Sequence, residues 1–92
     1  MNEPKFRDVV AFDEEHGTSF VADLSRICGY HARGGYGVGV SSQFRTDWAV
    51  GSLKYALQQT LRYVGFGYES ALVFKELGAK VAEMLEFMEK AP

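Results

Sequence analysis

Two amphipathic patterns fill the C-terminal half of the sequence, and they constrain the fold more than any other feature. In each pattern the apolar residues recur at steps of three and four, which places them on one face of an α-helix. The patterns predict a helical hairpin over about residues 47–64 and 69–90. The predicted stripes comprise Trp48, Ala49, Val50, Leu53, Ala56, Leu57, Thr60, Leu61 and Val64 in the first helix, and Val73 or Phe74, Leu77, Val81, Met84, Leu85 and Met88 in the second.

The first helix is bounded by residues that commonly begin and end helices. Thr46 or Asp47 can cap its start, because a short side-chain oxygen accepts a hydrogen bond from an unpaired backbone N–H. Gly65 and Gly67 follow its last apolar residue, and glycine ends helices because it tolerates the left-handed conformation. We therefore expect the chain to turn back at residues 65–67 and to pack the two helices against each other.

Three stretches before the hairpin favour β-strands. Residues 6–12 are rich in aromatic and β-branched side chains, which suit a half-buried strand. Residues 18–23 can return as a second strand after a loop at 13–17 that has glycine at its tight position. Residues 36–44 alternate glycine with larger side chains, a pattern that packs one face of a strand and leaves the other bare.

The second of these stretches also fits a helix that starts at Thr18 or Ser19. The apolar residues would then share one helical face, and the sequence leaves helix and strand open over residues 19–32. The residues of that face are Phe20, Val21, Leu24, Ile27 and Cys28.

The sequence thus predicts a single α+β domain over residues 1–92, in which a small sheet of two or three antiparallel strands packs on the helical hairpin. A hydrophobic fraction of 47% in 92 residues supports one modest core. Cys28 is the only cysteine, so the chain forms no internal disulfide. The sequence shows neither a membrane-length apolar run nor a signal peptide, and we expect a cytoplasmic location without membrane contact.

Charge is distributed unevenly along the chain. Residues 1–25 carry two cations and six carboxylates, a net charge of −4. Residues 26–68 carry five cations and one carboxylate, a net charge of +4, and residues 69–92 carry a net charge of −2. This segregation predicts a basic central surface between acidic flanks.

The polar face of the first predicted helix is the candidate contact surface. Lys54, Gln58 and Arg62 stand four residues apart and line one edge of the helix, with Tyr55 and Tyr63 beside them. No acidic residue occurs between positions 47 and 69, whereas an ordinary solvated helix face mixes both signs of charge. Arginine, lysine and tyrosine supply hydrogen-bond donors and stacking faces. The predicted partner-binding residues are Arg33, Tyr36, Arg45, Lys54, Tyr55, Gln58, Arg62 and Tyr63.

Motifs for catalysis, metals and nucleotides are weak. The glycine-rich residues 34–39 lack the spacing of a phosphate-binding loop, so they predict either a close-packed structural element or a contact loop. Cys28 and His31 are three residues apart, but a cysteine on an apolar stripe is more often a small buried hydrophobe than a nucleophile. The carboxylates of residues 13–15 favour a solvated loop. We expect no metal and no cofactor.

The sequence therefore favours a small non-enzymatic binding protein whose basic helix face docks on a protein or ribonucleoprotein. An inhibitor or adaptor of the kind found in phages and mobile elements has this size and this lack of catalytic motifs. One alternative is direct nucleic-acid binding through the central arginine, lysine and tyrosine residues. A second is small-ligand or nucleotide binding at the glycine-rich stretch. The Met84 and Met88 stripe adds a homodimer interface as a further expectation.

Overall fold

The computed structural model describes residues 3–32, 37–62, 64 and 68–91. Within these residues the chain forms five α-helices and no strand. The prediction of an α+β fold with an antiparallel sheet is therefore wrong. One isolated antiparallel bridge joins Ala32 to Val64. The helices are α1 (Phe6–His16), α2 (Phe20–Tyr30), α3 (Gly37–Val50), α4 (Leu53–Thr60) and α5 (Tyr68–Lys90).

The first two predicted strands are the helices α1 and α2. In α1, Phe6, Val9 and Val10 follow helical spacing, and Val9 is fully buried. Packing on this face outweighs the weak preference of aromatic and β-branched residues for strands. In α2 the alternative helical interpretation is the correct one, and the side chains that it placed on one face enter the core. Those fully or largely buried are Phe20, Val21, Leu24 and Cys28.

Asp13 fixes the corner between these two helices. Gly17 ends α1 in the left-handed conformation, with φ of 67°, and glycine accepts this conformation without strain. The half-buried Asp13 carboxylate then accepts hydrogen bonds from the Thr18 hydroxyl at 2.6 Å and from the backbone N–H groups of Phe20 and Val21 at 3.0 and 3.1 Å. It caps α2 from the preceding helix, so the prediction of a solvated loop carboxylate is wrong for Asp13.

The third predicted strand, residues 36–44, is also wrong over its described part, because α3 begins at Gly37. Val40, Phe44 and Trp48 lie four residues apart and are buried along one face of α3. The Trp48 indole meets Phe6 edge-on, with ring centroids 5.5 Å apart, and donates a hydrogen bond to the Pro4 carbonyl at 3.1 Å. These contacts anchor the N-terminal segment to α3.

The first helix of the predicted hairpin is interrupted at Gly51 and Ser52. Thr46 and Asp47, predicted as caps, lie inside α3, and Asp47 accepts a hydrogen bond from the Gln43 side chain. The actual cap is Ser52, whose hydroxyl accepts from the N–H of Tyr55 at 3.0 Å. The helix that carries the candidate contact residues is therefore the short α4.

The second predicted helix is confirmed, with bounds of 68–90 against the predicted 69–90. Val73, Leu77 and Met84 are buried along its stripe, whereas Phe74 is 56% exposed. However, α5 packs chiefly on α2, and α4 packs on α3. Among the described residues α4 and α5 share no extensive interface, so the predicted hairpin packing is wrong. The turn predicted at 65–67 lies outside the described residues.

Removing the Asp13 carboxylate should destabilise the fold. We expect Asp13→Ala to lower the free energy of unfolding by about 1–2 kcal/mol, because the N–H groups of Phe20 and Val21 lose their acceptor. Chemical denaturation followed by circular dichroism measures this difference. The neighbouring Glu14→Ala removes the same charge from an exposed side chain and serves as the control. Equal effects of the two substitutions would show that Asp13 does not cap α2.

Candidate interaction surface

Five of the eight predicted contact residues lie in the described part of the chain. All five are exposed, namely Arg45, Lys54, Tyr55, Gln58 and Arg62. The other three, Arg33, Tyr36 and Tyr63, lie outside the described residues. Their exposure leaves these five side chains accessible to a partner.

The short helix α4 presents Lys54, Tyr55 and Gln58 on its outer side. Its inner side is held by Leu53, Ala56 and Thr60, which are buried, so the orientation of the helix is fixed. Lys54 and Gln58 stand four residues apart and share one edge. We call the four exposed residues Lys54, Tyr55, Gln58 and Arg62 the α4 surface.

Arg62 extends this surface just past the end of the helix. Leu61 keeps a right-handed helical conformation, and the N–H of Arg62 donates to the Gln59 carbonyl at 3.0 Å. The chain therefore continues in a tight turn, and Arg62 follows Gln58 by about one helical turn. Arg45 belongs to a different helix, α3, and no described side-chain contact joins it to the α4 surface.

The start of α4 is held by two side-chain oxygens. Besides Ser52, a Glu3 carboxylate oxygen accepts a hydrogen bond from the Lys54 N–H at 2.5 Å. These contacts satisfy two N–H groups that a helix N-terminus leaves unpaired. Sequence reasoning missed both residues. The glycine–serine pair before an apolar residue could have indicated Ser52 as a cap. Glu3 lies fifty-one positions before Lys54, so no local pattern in the sequence indicates its contact.

The Tyr55 ring folds back over Gly51. A Cβ atom at position 51 would lie 2.8 Å from a ring carbon of Tyr55, so glycine permits this close contact. Tyr55 as a whole remains 42% exposed. Tyrosine in this state offers both an apolar ring face and a hydroxyl that donates or accepts hydrogen bonds.

The cations of the α4 surface lack carboxylate partners. Among the described side chains, no carboxylate oxygen lies within 4.0 Å of the charged groups of Lys54 or Arg62. The ion pairs among the described side chains lie on α2 and α5 instead, for example Arg26–Asp23 and Lys90–Glu86. A Glu3 carboxylate oxygen also reaches this helix, but it accepts from the Lys54 backbone N–H.

Cys28 and His31 are not paired as nucleophile and base. The Cys28 side chain is fully buried, and its Sγ lies 3.7 Å from the Thr60 hydroxyl. Burial raises the pKa of the Cys28 thiol to about 11, and this effect exceeds the opposing hydrogen bond to Thr60. The His31 imidazole is engaged with the Glu76 carboxylate at 3.0 Å. Cys28 thus behaves as a core residue.

The other chemical candidates gain no support from the geometry. No group of three or more histidine, cysteine, aspartate or glutamate side chains able to hold a metal ion occurs in the described part of the chain. Residues 34–36 of the glycine-rich stretch lie outside it, and Gly37 and Gly39 belong to α3. Met84 is fully buried within the chain, so it is not available to a dimer interface.

Comparison with known proteins identifies no relative, since no protein-family model, curated protein or solved structure matches this chain. None of the described helices combines the length and hydropathy that crossing a bilayer requires.

The native Cys28 thiol should react very slowly. With a pKa of about 11, roughly one thiol in a thousand is ionised at pH 8, and the thiolate is the reactive form. We expect a disulfide reagent such as Ellman's reagent to modify Cys28 at pH 8 only as fast as the chain unfolds. Adding a cysteine by Ser42→Cys at an exposed position of α3 should give one fast and one slow thiol. Rapid modification of the natural chain that is lost in His31→Ala would instead reveal an activated cysteine.

Proposed function

We propose that this protein is a non-enzymatic binding module that docks its α4 surface on an acidic patch of a protein or ribonucleoprotein. One observation carries the proposal: Lys54 and Arg62 are exposed cations without a described carboxylate partner, and they flank Tyr55 and Gln58. A side chain that is not engaged within the chain can pair with a partner without first breaking an internal contact.

The contrast with α5 supports this assignment. On α5 two of the three lysines are paired with glutamates, Lys90 with Glu86 at 2.8 Å and Lys80 with Glu83 at 2.9 Å, and Lys75 is the exception. Such exposed pairs form when an ordinary helix surface mixes both charges. Helix α4 carries Lys54 but no acidic residue, so its charge is left for an external partner.

The side chains of the α4 surface also suit a protein contact. Arginine and tyrosine are enriched at protein interfaces, because a planar guanidinium and an amphipathic ring make several contacts at once. The buried residues Leu53, Ala56 and Thr60 hold α4 on the core, so the surface is presented in one orientation. Occupying a partner's surface in this way suits an inhibitor or an adaptor, neither of which requires turnover.

Direct binding of nucleic acid is the second candidate, and the exposed Tyr55 ring beside Lys54 favours it. A base could stack on the ring while the cations contact phosphates. This mode predicts that affinity falls steeply between about 50 and 200 mM salt, because phosphate binding releases counterions. A protein partner that also gains apolar contacts should keep more of its affinity over the same range.

Reversing the charge of the α4 surface should abolish partner binding. We expect Lys54→Glu with Arg62→Glu to remove the partner that the natural chain captures from its host lysate, as read by mass spectrometry with and without nuclease. Both side chains are exposed, so the free energy of unfolding should change by less than about 0.5 kcal/mol. Thermal unfolding checks this point.

A matched control makes the same change of charge elsewhere. Arg7→Glu with Lys75→Glu alters two exposed cations, one on α1 and one on α5, which likewise have no carboxylate partner among the described side chains. This variant should keep the partner. If the control loses the partner while the α4 variant retains it, the α4 surface is not the binding site.

A further inference from the structure

A cleft lies where the N-terminal segment passes the corner between α3 and α4. Its volume is about 420 Å³, which falls within the roughly 300–1,000 Å³ of clefts that hold small molecules. One wall is the start of α1, with Lys5, Phe6 and Arg7, and the opposite wall is the end of α3 with the first residues of α4. We call this space the N-terminal cleft.

We propose that the N-terminal cleft binds a small monocarboxylate that carries an apolar body. The argument for the carboxylate rests on two unpaired cations that line the cleft. The argument for the apolar body rests on the aromatic and aliphatic side chains of its walls. The proposal does not depend on the α4 surface.

Lys5 and Arg7 give the cleft its positive charge. Both residues line it and are exposed, and neither forms an ion pair with a described side chain. The one carboxylate that lines the cleft, that of Glu3, is already engaged, because it accepts a hydrogen bond from the Lys54 N–H. The two cations are therefore available to an anion, and a planar guanidinium matches both oxygens of a carboxylate.

Contacts between the two walls hold the cleft in shape. The Phe6 ring meets Trp48 edge-on, with centroids 5.5 Å apart, and the Trp48 indole donates to the Pro4 carbonyl at 3.1 Å. All three residues line the cleft, and Trp48 is only 1% exposed, so packing fixes its indole. Because these contacts lie within the chain itself, binding a ligand requires little further ordering of the walls.

The balance of charge in the cleft selects the ligand. Two cations and one carboxylate leave the lining with a net charge of +1. A monocarboxylate complements this charge, whereas a nucleotide would bring several negative charges close to Glu3. The apolar lining residues Pro4, Phe6 and Ala49 suit a hydrocarbon body, so a purely hydrophilic anion such as inorganic phosphate would leave that wall uncovered.

The only tryptophan of the chain is a local reporter, because Trp48 lines the cleft. Its indole N–H gives a single signal in a nitrogen–proton correlation spectrum of the intact chain. Titration with 3-phenylpropionate should shift this signal in a saturable way, with a dissociation constant in the low-millimolar range that suits so small a ligand. The neutral isostere 3-phenylpropionamide should bind about fivefold more weakly, because it cannot pair with the cations. ATP should also bind more weakly than the acid.

Substitutions in the chain then locate the charge of the ligand. Lys5→Gln with Arg7→Gln should reduce the affinity for 3-phenylpropionate to about that for the amide, because both cations are removed. Arg45→Gln with Lys75→Gln makes the same change in net charge at two exposed residues outside the cleft, so it should leave the affinity unchanged. All four side chains are exposed, so both variants should fold as the natural chain does, which circular dichroism checks.

Four results would overturn the proposal. The first is the lack of a saturable shift of the Trp48 indole signal up to about 20 mM 3-phenylpropionate, a concentration well above that expected for half-saturation. The others are equal affinity for the acid and the amide, tighter binding of ATP than of the acid, and equal losses in the two double variants. None of these results concerns capture of a partner by the α4 surface, so the two proposals fail independently.

Discussion

The fold depends on burying α2 between three other helices. This helix has 11 residues and is about 16 Å long, and a helix so short is barely stable alone in water. Its stability must come from packing, and α1, α3 and α5 supply it. Leu24 and Cys28 are completely buried as a result. Small polar residues assist the approach of α3, since the Ser41 hydroxyl donates to the Ser25 carbonyl at 2.8 Å.

The length of α5 leaves an open groove near its C-terminal end, lined by this helix and the end of α1. With 23 residues, α5 is about 34 Å long, roughly twice the length of the helix on which it packs. Some of its apolar side chains therefore remain only partly covered. Near its C-terminal end, Phe87 rests on Phe12 and Phe20 at the corner that Asp13 holds together. The contacts that stabilise α2 thus also determine the position of the groove floor.

The sequence predicted α5 well, because a long amphipathic pattern with charged residues on its other faces fits only a helix. Shorter stretches were ambiguous. The aromatic and β-branched residues of 6–12 satisfy both a strand and one side of a helix, and only contacts with distant residues such as Trp48 favour the helix. The glycine alternation before Phe44 resembled a strand, yet Val40, Phe44 and Trp48 keep a helical spacing. Each glycine destabilises a helix by about 1 kcal/mol relative to alanine. Packing of α3 against α2 outweighs this cost.

The exposure of the α4 surface could be predicted where local spacing was sufficient. Lys54 and Gln58 were correctly expected on an exposed helical edge, because a separation of four residues places side chains together on any helix. The predicted extent of that helix was wrong, because the apolar pattern continues across the break at Gly51. The groove could not be found in the sequence at all. Phe12, Phe20 and Phe87 come from three elements, two of which were interpreted as strands, so no local pattern brings the rings together.

The α4 surface and the groove differ in charge and in the elements that carry them, which has a consequence for function. The α4 surface is basic and is supported by α3, whereas the groove is lined by α5 and the end of α1, and both of its glutamates are paired with lysines. The α4 surface would therefore select a ligand chiefly by charge, and the groove by apolar contact, so neither ligand could readily substitute for the other. A chain that only blocks one partner needs a single such surface. If both surfaces bind, an adaptor that holds two partners at once accounts for two separate surfaces better than an inhibitor does.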